Sequence, residues 1–237
     1  MSSRQPKAVR GKRVGGVRQP QPKPLLSREA RILLLIGLPV VLLFAVLVAR
    51  NTGGDEAPAV PAEQQSRLIR EDSPTQGPAD APVTLVEFLD PECESCRAAA
   101  PIVKQILQEY NGRVRLVVRY FPLHNNSVLA ATATEAAGEQ GKYWEMHDLL
   151  FTNQSQWGEK NTPQTALFID YARTLGLNVE QFTAVLQSTK YAAKIERDGQ
   201  DARALGAQGT PTFFVNGQQV QGISYASLKE AIDRALR

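Results

Sequence analysis

The two cysteines of the chain, Cys93 and Cys96, are separated by two residues in the segment FLDPECESCRAAAP (88–101). A pair with this spacing can work as a redox-active dithiol, supply two ligands to a metal ion, or close a small structural disulfide. These alternatives imply different proteins, so the rest of the chain has to distinguish among them.

Metal ligation and a structural disulfide are both disfavoured. A structural zinc site normally takes four ligands, and the two histidines of the chain, His124 and His147, are not spaced like those of a zinc finger. A disulfide across two intervening residues closes a very short loop and removes little entropy from the unfolded chain. The sequence therefore predicts no metal site and favours redox chemistry.

The position of the pair supports this interpretation. Cys93 follows a predicted strand and stands where a helix begins, so backbone N–H groups and the helix dipole can stabilise its thiolate. Cys96 lies one turn further along the helix, where it can resolve a mixed disulfide formed by Cys93. We interpret Cys93 as the nucleophile and Cys96 as the resolving cysteine.

Strands and helices alternate around the pair. The predicted elements are a strand at 83–90, a helix from Cys93 to about Tyr110, a strand at 113–121, helices throughout 126–206, strands at 212–217 and 218–222, and a final helix at 227–237. This order predicts an α/β fold in which a βαβ unit and a ββα unit are separated by a helical insertion. The parallel strands of such a fold are buried on both faces.

The N-terminal part of the chain has a different composition. Residues 1–31 carry nine basic side chains and one acidic one, and they show no apolar periodicity, which predicts a disordered tail. Residues 32–49 contain no charge and would form about 27 Å of helix, the thickness of a bilayer core. The positive charges before this span predict a single transmembrane helix with a cytoplasmic N-terminus.

Two further expectations concern the same region. A cleaved signal peptide is the alternative to an anchor, although Leu47 and Ala49 do not make a typical cleavage site. Residues 50–67 are rich in Pro, Ala and Gln and predict a flexible linker, followed by a folded domain at 68–237. Beyond residue 31 the chain is mildly acidic, with 18 basic and 23 acidic side chains, which argues against nucleic-acid binding.

Four segments together resemble the thioredoxin superfamily, and within it the membrane-anchored DsbA-like thiol–disulfide oxidoreductases. They are DSPTQGPADAPVTLVEFLDPECESC (72–96), Pro101 five residues after the second cysteine, GKYWEMHDLLF (141–151) and GTPTFFVNG (209–217). The resemblance covers about residues 68–237. It implies a thioredoxin fold with a helical insertion, preceded here by the transmembrane helix.

The resemblance also implies roles for individual residues. Pro211 corresponds to a proline that is cis and packs beside the cysteines, and Thr210 before it would influence access to Cys93. Glu87 corresponds to a buried acidic group; burial should raise its pKa so that it can relay a proton to or from Cys96. The alternatives are an ordinary trans proline and a partly solvated acid at a strand end.

The dipeptide between the cysteines departs from the best-known relatives. Strongly oxidising members have a histidine before the second cysteine, whereas this chain has Glu94 and Ser95. Together with Asp90 and Glu92, Glu94 is expected to raise the pKa of Cys93 and to make the disulfide a milder oxidant. His124 is a candidate for lining a substrate groove, and His147 is expected to pack or cap within its helix.

The resulting expectation is an oxidase that exchanges disulfides with exported proteins outside the cytoplasm of a bacterium, anchored in the cytoplasmic membrane. The Cys93–Cys96 disulfide carries the electrons, so no other cofactor is expected. A membrane redox partner would reset the pair, and a monomer is expected because no dimerisation segment is present. The alternatives are a reductase or isomerase fed by a membrane electron donor, a non-catalytic peptide-binding or chaperone module, and a regulatory anchor that acts through its basic tail.

Overall fold

The computed structural model describes residues 59–237, which contain a five-stranded sheet flanked by helices. The strands are β1 (Thr75–Gln76), β2 (Val83–Leu89), β3 (Val114–Tyr120), β4 (Thr212–Val215) and β5 (Gln218–Gln219). The helices are α1 (Glu94–Tyr110), α2 (Ser127–Gly138), α3 (Tyr143–Thr152), α4 (Gln154–Trp157), α5 (Thr165–Thr174), α6 (Val179–Leu186), α7 (Ala192–Ala204) and α8 (Tyr225–Ala235). A 3₁₀ helix covers Ala62–Arg67.

The sheet has the strand order β1-β3-β2-β4-β5. β2 and β3 are parallel and run in register from Val83 opposite Val114 to Leu89 opposite Tyr120, whereas the other pairs are antiparallel. Both central strands are apolar runs with burial on both faces, as parallel strands require. The predicted βαβ and ββα units are therefore confirmed.

The two faces of the sheet have separate cores. On one face, side chains of β2 and β3 pack with α1 and α8, and this core includes both cysteines. On the other face, Val86 and Phe88 pack with Phe121, Phe214 and Ala202 of α7. Successive residues of a strand point to opposite faces, so Glu87 lies on the cysteine side.

Helix α1 presents a continuous apolar face to the sheet. Its buried residues recur every three or four positions, the spacing of one helix face, and they are Cys96, Ala99, Val103, Ile106 and Tyr110. The helix contains Pro101. Its C-cap residue is Asn111, which adopts a left-handed conformation with φ 40°. This packing holds the first turn of α1, and with it the cysteine pair, at the end of β2.

The predicted helical insertion at 126–206 is confirmed as helices α2 to α7. It has its own core, in which Trp157 packs edge-on against Phe168 and is joined by Met146, Leu150 and Phe182. The insertion therefore has its own packed interior, and its last helix, α7, also packs on the sheet through Ala202.

The prediction of a flexible linker up to residue 67 is wrong for residues 59–67. Ala59 bridges Gln218 of β5, Val60 is buried, and Arg67 forms an ion pair with Asp201 of α7 at 3.1 Å. The composition of these residues is typical of a linker. The residues that they contact lie more than a hundred positions later in the sequence, so no local pattern reveals the contacts. The edge strand β1 was not predicted either, since two residues carry too little pattern.

The expectations for the tail at 1–31, the membrane span at 32–49 and the linker residues 50–58 lie outside the described residues. Within residues 59–237, every helix is too short or too polar to cross a bilayer.

Candidate active site

Cys93 is the N-cap residue of α1 and has an extended backbone with φ −72° and ψ 125°. The turn that precedes it is closed by the Cys93 N–H, which donates to the Asp90 carbonyl at 3.1 Å. Both cysteines are free thiols in the structure: Cys93 keeps 9% of its surface exposed, whereas Cys96 is completely buried. Only Cys93 is therefore accessible to a protein substrate, as a nucleophile has to be.

The surroundings of Cys93 favour its thiolate. A hydrogen bond from the Cys96 thiol is the largest influence; burial opposes it, and the Thr210 side chain with the backbone N–H groups of Cys96 and Ser95 adds to it. Together these groups lower the pKa of Cys93 to about 5. The thiol can also donate to the Thr210 carbonyl, 3.3 Å away. At neutral pH Cys93 is consequently ionised.

Cys96 has the opposite character. Burial, followed by the hydrogen bond to Cys93 and the nearby charge of Glu87, raises the pKa of Cys96 well above that of an ordinary thiol. The backbone N–H of Asp90 donates to its sulfur at 3.4 Å and offsets only part of this effect. Cys96 therefore stays protonated, and any step that makes it a leaving group has to supply it with a proton.

Glu87 is the buried acid whose charge contributes to the raised pKa of Cys96. The residue is 4% exposed, and among residues 59–237 no hydrogen bond or ion pair contributes to the pKa of its carboxyl group. Burial raises the pKa of Glu87 to about 8. The buried position expected from the sequence is thus confirmed, and the partly solvated alternative is not supported.

The expectation that acidic neighbours raise the pKa of Cys93 is wrong. The carboxylate of Asp90 accepts hydrogen bonds from the backbone N–H groups of Glu92 and Leu123 and from the Ser127 hydroxyl, all within 2.8 Å. Glu92 accepts from the N–H groups of Asn126 and Glu159. Donors surround each of these charges, so little of their repulsion reaches Cys93.

Glu94 and Ser95 are exposed on the first turn of α1. The carboxylate of Glu94, 68% exposed, lies 3.6 Å from Arg97, and water screens its charge. Ser95 contributes to the site through its backbone N–H group, which helps to lower the pKa of Cys93.

His124 follows β3 and lies at the edge of the site. Its Nδ1 is 2.7 Å from the Asp90 carboxylate, and 43% of its side chain is exposed. Burial acts against the charged ring, but the hydrogen bond and charge of Asp90, with the charge of Cys93, raise the pKa of His124. The charges of His124 and Cys93 therefore interact across the edge of the site.

The loop before β4 forms the opposite side of the site. The Thr210–Pro211 peptide bond is cis, as the resemblance implied. The carbonyl of Thr210 faces the Cys93 sulfur, while its Oγ1 is buried and has no partner in satisfactory hydrogen-bond geometry. Thr210 thus brings both a backbone acceptor and a hydroxyl to the reactive cysteine.

His147 is not part of this cluster. Its ring packs among those of Tyr143, Trp144 and Phe151 on α3, with centroid separations of 4.8–6.4 Å. The predicted packing role is confirmed, and the ring also lines a cavity that reaches Glu87.

Sequence reasoning missed Gln154, which anchors the cysteine loop to the insertion. Its Nε2 donates to the carbonyls of Pro91 at 2.8 Å and Cys93 at 3.0 Å, and the residue is 2% exposed. No local signal distinguishes it from a surface glutamine, because its partners lie about sixty positions earlier. Within residues 59–237 no group of three His, Cys, Asp or Glu side chains is arranged to hold a metal.

Comparison with known proteins agrees with this geometry. A thioredoxin family model matches residues 70–234. A thioredoxin-like oxidoreductase from Silicibacter pomeroyi is 33% identical, with a TM-score of 0.62 over 73% of this chain and 97% of that one. BdbD from Bacillus subtilis, solved in its oxidised form, is 26% identical, with a TM-score of 0.64 over 76% of this chain and 97% of its own.

Curated relatives include longer proteins that are named for another activity. A Na⁺/H⁺ antiporter NhaA of Herminiimonas arsenicoxydans is 34% identical over 215 residues, which are 90% of this chain and 34% of the antiporter. NhaA 3 of Salinispora tropica is 41% identical over 150 residues, 22% of its length. The chain spans about a third or less of these relatives, so the antiporter name is not carried over. The chain belongs to the thioredoxin family.

Proposed function

We propose that the chain is an extracytoplasmic oxidase that donates the Cys93–Cys96 disulfide to exported proteins. The observation that carries this proposal is the position of Cys93 as the N-cap residue of α1, where the Cys96 thiol and the backbone N–H groups of Cys96 and Ser95 lower its pKa. Groups that stabilise the thiolate stabilise the reduced protein, and a stable reduced form makes the disulfide a strong oxidant.

The reaction follows from the two different sulfurs. A substrate thiolate attacks the exposed Cys93 sulfur of the disulfide, and Cys96 leaves with the electron pair. Glu87 gives its proton to Cys96, which becomes a thiol. A second substrate thiolate then attacks the substrate sulfur of the mixed disulfide, and Cys93 leaves as a stable thiolate. Two substrate thiols become one disulfide; one of their protons is retained on Cys96, and the other is released.

The surface around Cys93 supports a protein substrate. Leu123 and Val128, before and after His124 in sequence, are 47% and 46% exposed, so apolar surface is available near the His124 edge of the site. Val128 also lines an open groove of about 680 Å³ between α2 and the loop that contains Asn161 and Pro163. The proposed substrates are thiols of newly exported proteins.

The proposed location depends on the apolar span at 32–49 and the basic residues before it. Residues 59–237 would then lie outside the cytoplasm, in a compartment where disulfides persist. A membrane redox partner would reoxidise the pair after each cycle. A reductase that receives electrons from the membrane is the same chemistry in the opposite direction.

The decisive experiment is the reduction potential of the pair, measured with the purified full-length protein in glutathione buffers. We expect a value close to that of DsbA, about −120 mV. A value near that of thioredoxin, about −270 mV, would instead establish the reductase direction. Failure of the protein to exchange disulfides with a model peptide, with Cys93→Ser equal to wild type, would support a non-catalytic module.

A further inference from the structure

A short chain of hydrogen bonds joins His124, in the loop between β3 and α2, to the cysteine pair. Nδ1 of His124 lies 2.7 Å from Oδ2 of Asp90, whose side chain is completely buried. The backbone of the same aspartate contacts both cysteines. Its carbonyl accepts from the Cys93 N–H at 3.1 Å, and its N–H donates to the Cys96 sulfur at 3.4 Å. One residue therefore holds the imidazole in a fixed relation to the two sulfurs.

The loop that carries His124 is itself held in place. The N–H of His124 donates to the Ser127 hydroxyl at 3.0 Å, and that hydroxyl donates in turn to Asp90 at 2.8 Å. The N–H of Leu123 donates to the same carboxylate oxygen at 2.7 Å. The side chain of His124 nevertheless remains 43% exposed. The ring can therefore exchange protons with solvent while its position stays fixed.

Three negative groups favour the protonated form of this ring. Burial disfavours the charge, but Asp90, Cys93 and Glu92 favour it, and together they raise the pKa of His124. Asp90 and Glu92 are present in both redox forms of the protein. The charge of Cys93 exists only in the reduced form, because the sulfur of a disulfide is neutral. A protonated His124 therefore stabilises the reduced protein relative to the oxidised one.

The insertion adds no strong charge on this side of the site. The loop after α4 reaches it through backbone atoms: the Glu159 N–H donates to Glu92 at 2.9 Å, and the Lys160 carbonyl accepts from Asn126 at 2.9 Å. The side chains of Glu159 and Lys160 are exposed and opposite in sign, so water screens them. Helix α2 contributes the neutral Ser127.

We propose that His124 makes the oxidising strength of the Cys93–Cys96 disulfide depend on pH, with Asp90 as the residue that positions its ring. The inference rests on the proposed function, because it concerns how strongly the pair oxidises a substrate. It extends that function by assigning a regulatory group outside the segment between the cysteines. When the imidazole is charged, the disulfide is the stronger oxidant; when the imidazole is neutral, this advantage is lost.

The proton balance follows from linkage. Reduction of the disulfide adds two electrons and leaves a thiol at Cys96 and a thiolate at Cys93. If the imidazolium stabilises that thiolate, the thiolate stabilises the imidazolium by the same free energy. His124 therefore has a higher pKa in the reduced protein than in the oxidised one. Between these two pKa values, reduction draws an additional proton from solvent onto the ring.

The first test is the equilibrium of the full-length protein with glutathione between about pH 6 and 9.5. The ratio of the wild-type constant to that of a variant cancels the pH dependence of glutathione itself. We expect His124→Gln to be about threefold to tenfold less oxidising than wild type at pH 6, since one pKa unit corresponds to a factor of ten. The two proteins should converge towards pH 9.5, where the imidazole is neutral.

Two further variants separate charge from structure. His124→Lys keeps a positive charge over the whole range, so it should match wild type at pH 6 and be the stronger oxidant at pH 9.5. His147→Gln changes the other histidine of the chain, whose ring packs on α3, and should match wild type at every pH. A deficit of His124→Gln that is the same at every pH would assign the effect to structure and overturn the inference.

The second test measures the same coupling at the ring. Proton NMR of the oxidised and reduced protein gives the pKa of each histidine, and His147→Gln assigns the two signals. The pKa of His124 should be about half a unit to one unit higher in the reduced form, matching the shift seen with glutathione. Equal pKa values in the two forms would overturn the inference. Absence of exchange with a model peptide would instead overturn the proposed function, and the two pKa values of His124 would still decide this inference.

Discussion

Two buried ionisable groups on opposite faces of the same pair of strands have contrasting environments. Arg119 of β3, completely buried, donates from Nη2 to Asp198 and Asp201, both at 2.7 Å, and from Nη1 to the Arg67 carbonyl. Glu87 of β2, almost as buried, has no partner in the described part of the chain. Arg119 lies on the face packed by α7, whereas Glu87 lies on the cysteine face.

The two environments suit different roles for the two faces of the sheet. A buried charge with partners is held in one protonation state and joins elements, here the segment before β1, the central sheet and α7. A buried acid without partners lowers its free energy by taking up a proton, which raises its pKa towards neutral pH. The first arrangement supports the fold, and the second provides a group that can exchange protons during a reaction.

The largest effect should come from removing the paired charge. Arg119→Met leaves Asp198 and Asp201 buried with fewer partners, and we expect a loss of about 3–5 kcal/mol in the free energy of unfolding. Urea denaturation of the full-length protein measures it. Arg234→Met, an exposed pair on α8 with Glu230, is the control and should change stability by less than about 1 kcal/mol. Equal losses would mean that burial of the charge is not what matters.

Removing the unpaired acid should have an effect that depends on pH. The folded protein binds the proton of Glu87 with a pKa of about 8, against 4.5 for an unperturbed glutamate. The stability associated with this proton is therefore complete below about pH 4.5 and is lost as pH rises through about 8. Relative to wild type, Glu87→Gln should gain about 3–4 kcal/mol between pH 5 and 8. Parallel stability curves for the reduced proteins would contradict the raised pKa.

A smaller effect is expected at Cys93, where several groups act together to lower the pKa of the thiol. Thr210→Val removes the hydroxyl that helps to lower the pKa of Cys93, and we expect that pKa to rise by about one unit. The absorbance of the thiolate at 240 nm, followed against pH, measures it. Thr212→Val is a control, because the hydroxyl of Thr212 bonds to the Gly209 carbonyl at 2.7 Å and is not among the groups that lower this pKa. The same shift in both variants would assign it to the loop rather than to the hydroxyl.

The smallest effect should follow from Glu94, the exposed acid of the dipeptide. Because water screens its charge, Glu94→Gln should lower the pKa of Cys93 by less than about half a unit. The same thiolate titration measures it. A fall of a full unit would restore the expectation, drawn from the dipeptide alone, that acidic neighbours control this cysteine.

Most of the strands and helices could be predicted from local sequence patterns. Apolar runs defined β2 and β3, the spacing of buried residues defined α1, and the insertion at 126–206 showed repeated helical segments. Each of these signals lies within one element. The packed segment that contains Val60 was misread, since its partners on β5 and α7 are distant in sequence.

The sequence by itself determined the chemistry: two cysteines at the junction of a strand and a helix, an acid six residues earlier on the cysteine face, and a Thr-Pro loop. Tertiary structure decided the ionisation of these groups. The pKa of Cys93 depends on donors from Thr210 and the first turn of α1, and the charges of Asp90 and Glu92 are offset by N–H groups from other loops. Electrostatic energies depend on distance and on local donors, and neither is present in the order of residues along a chain.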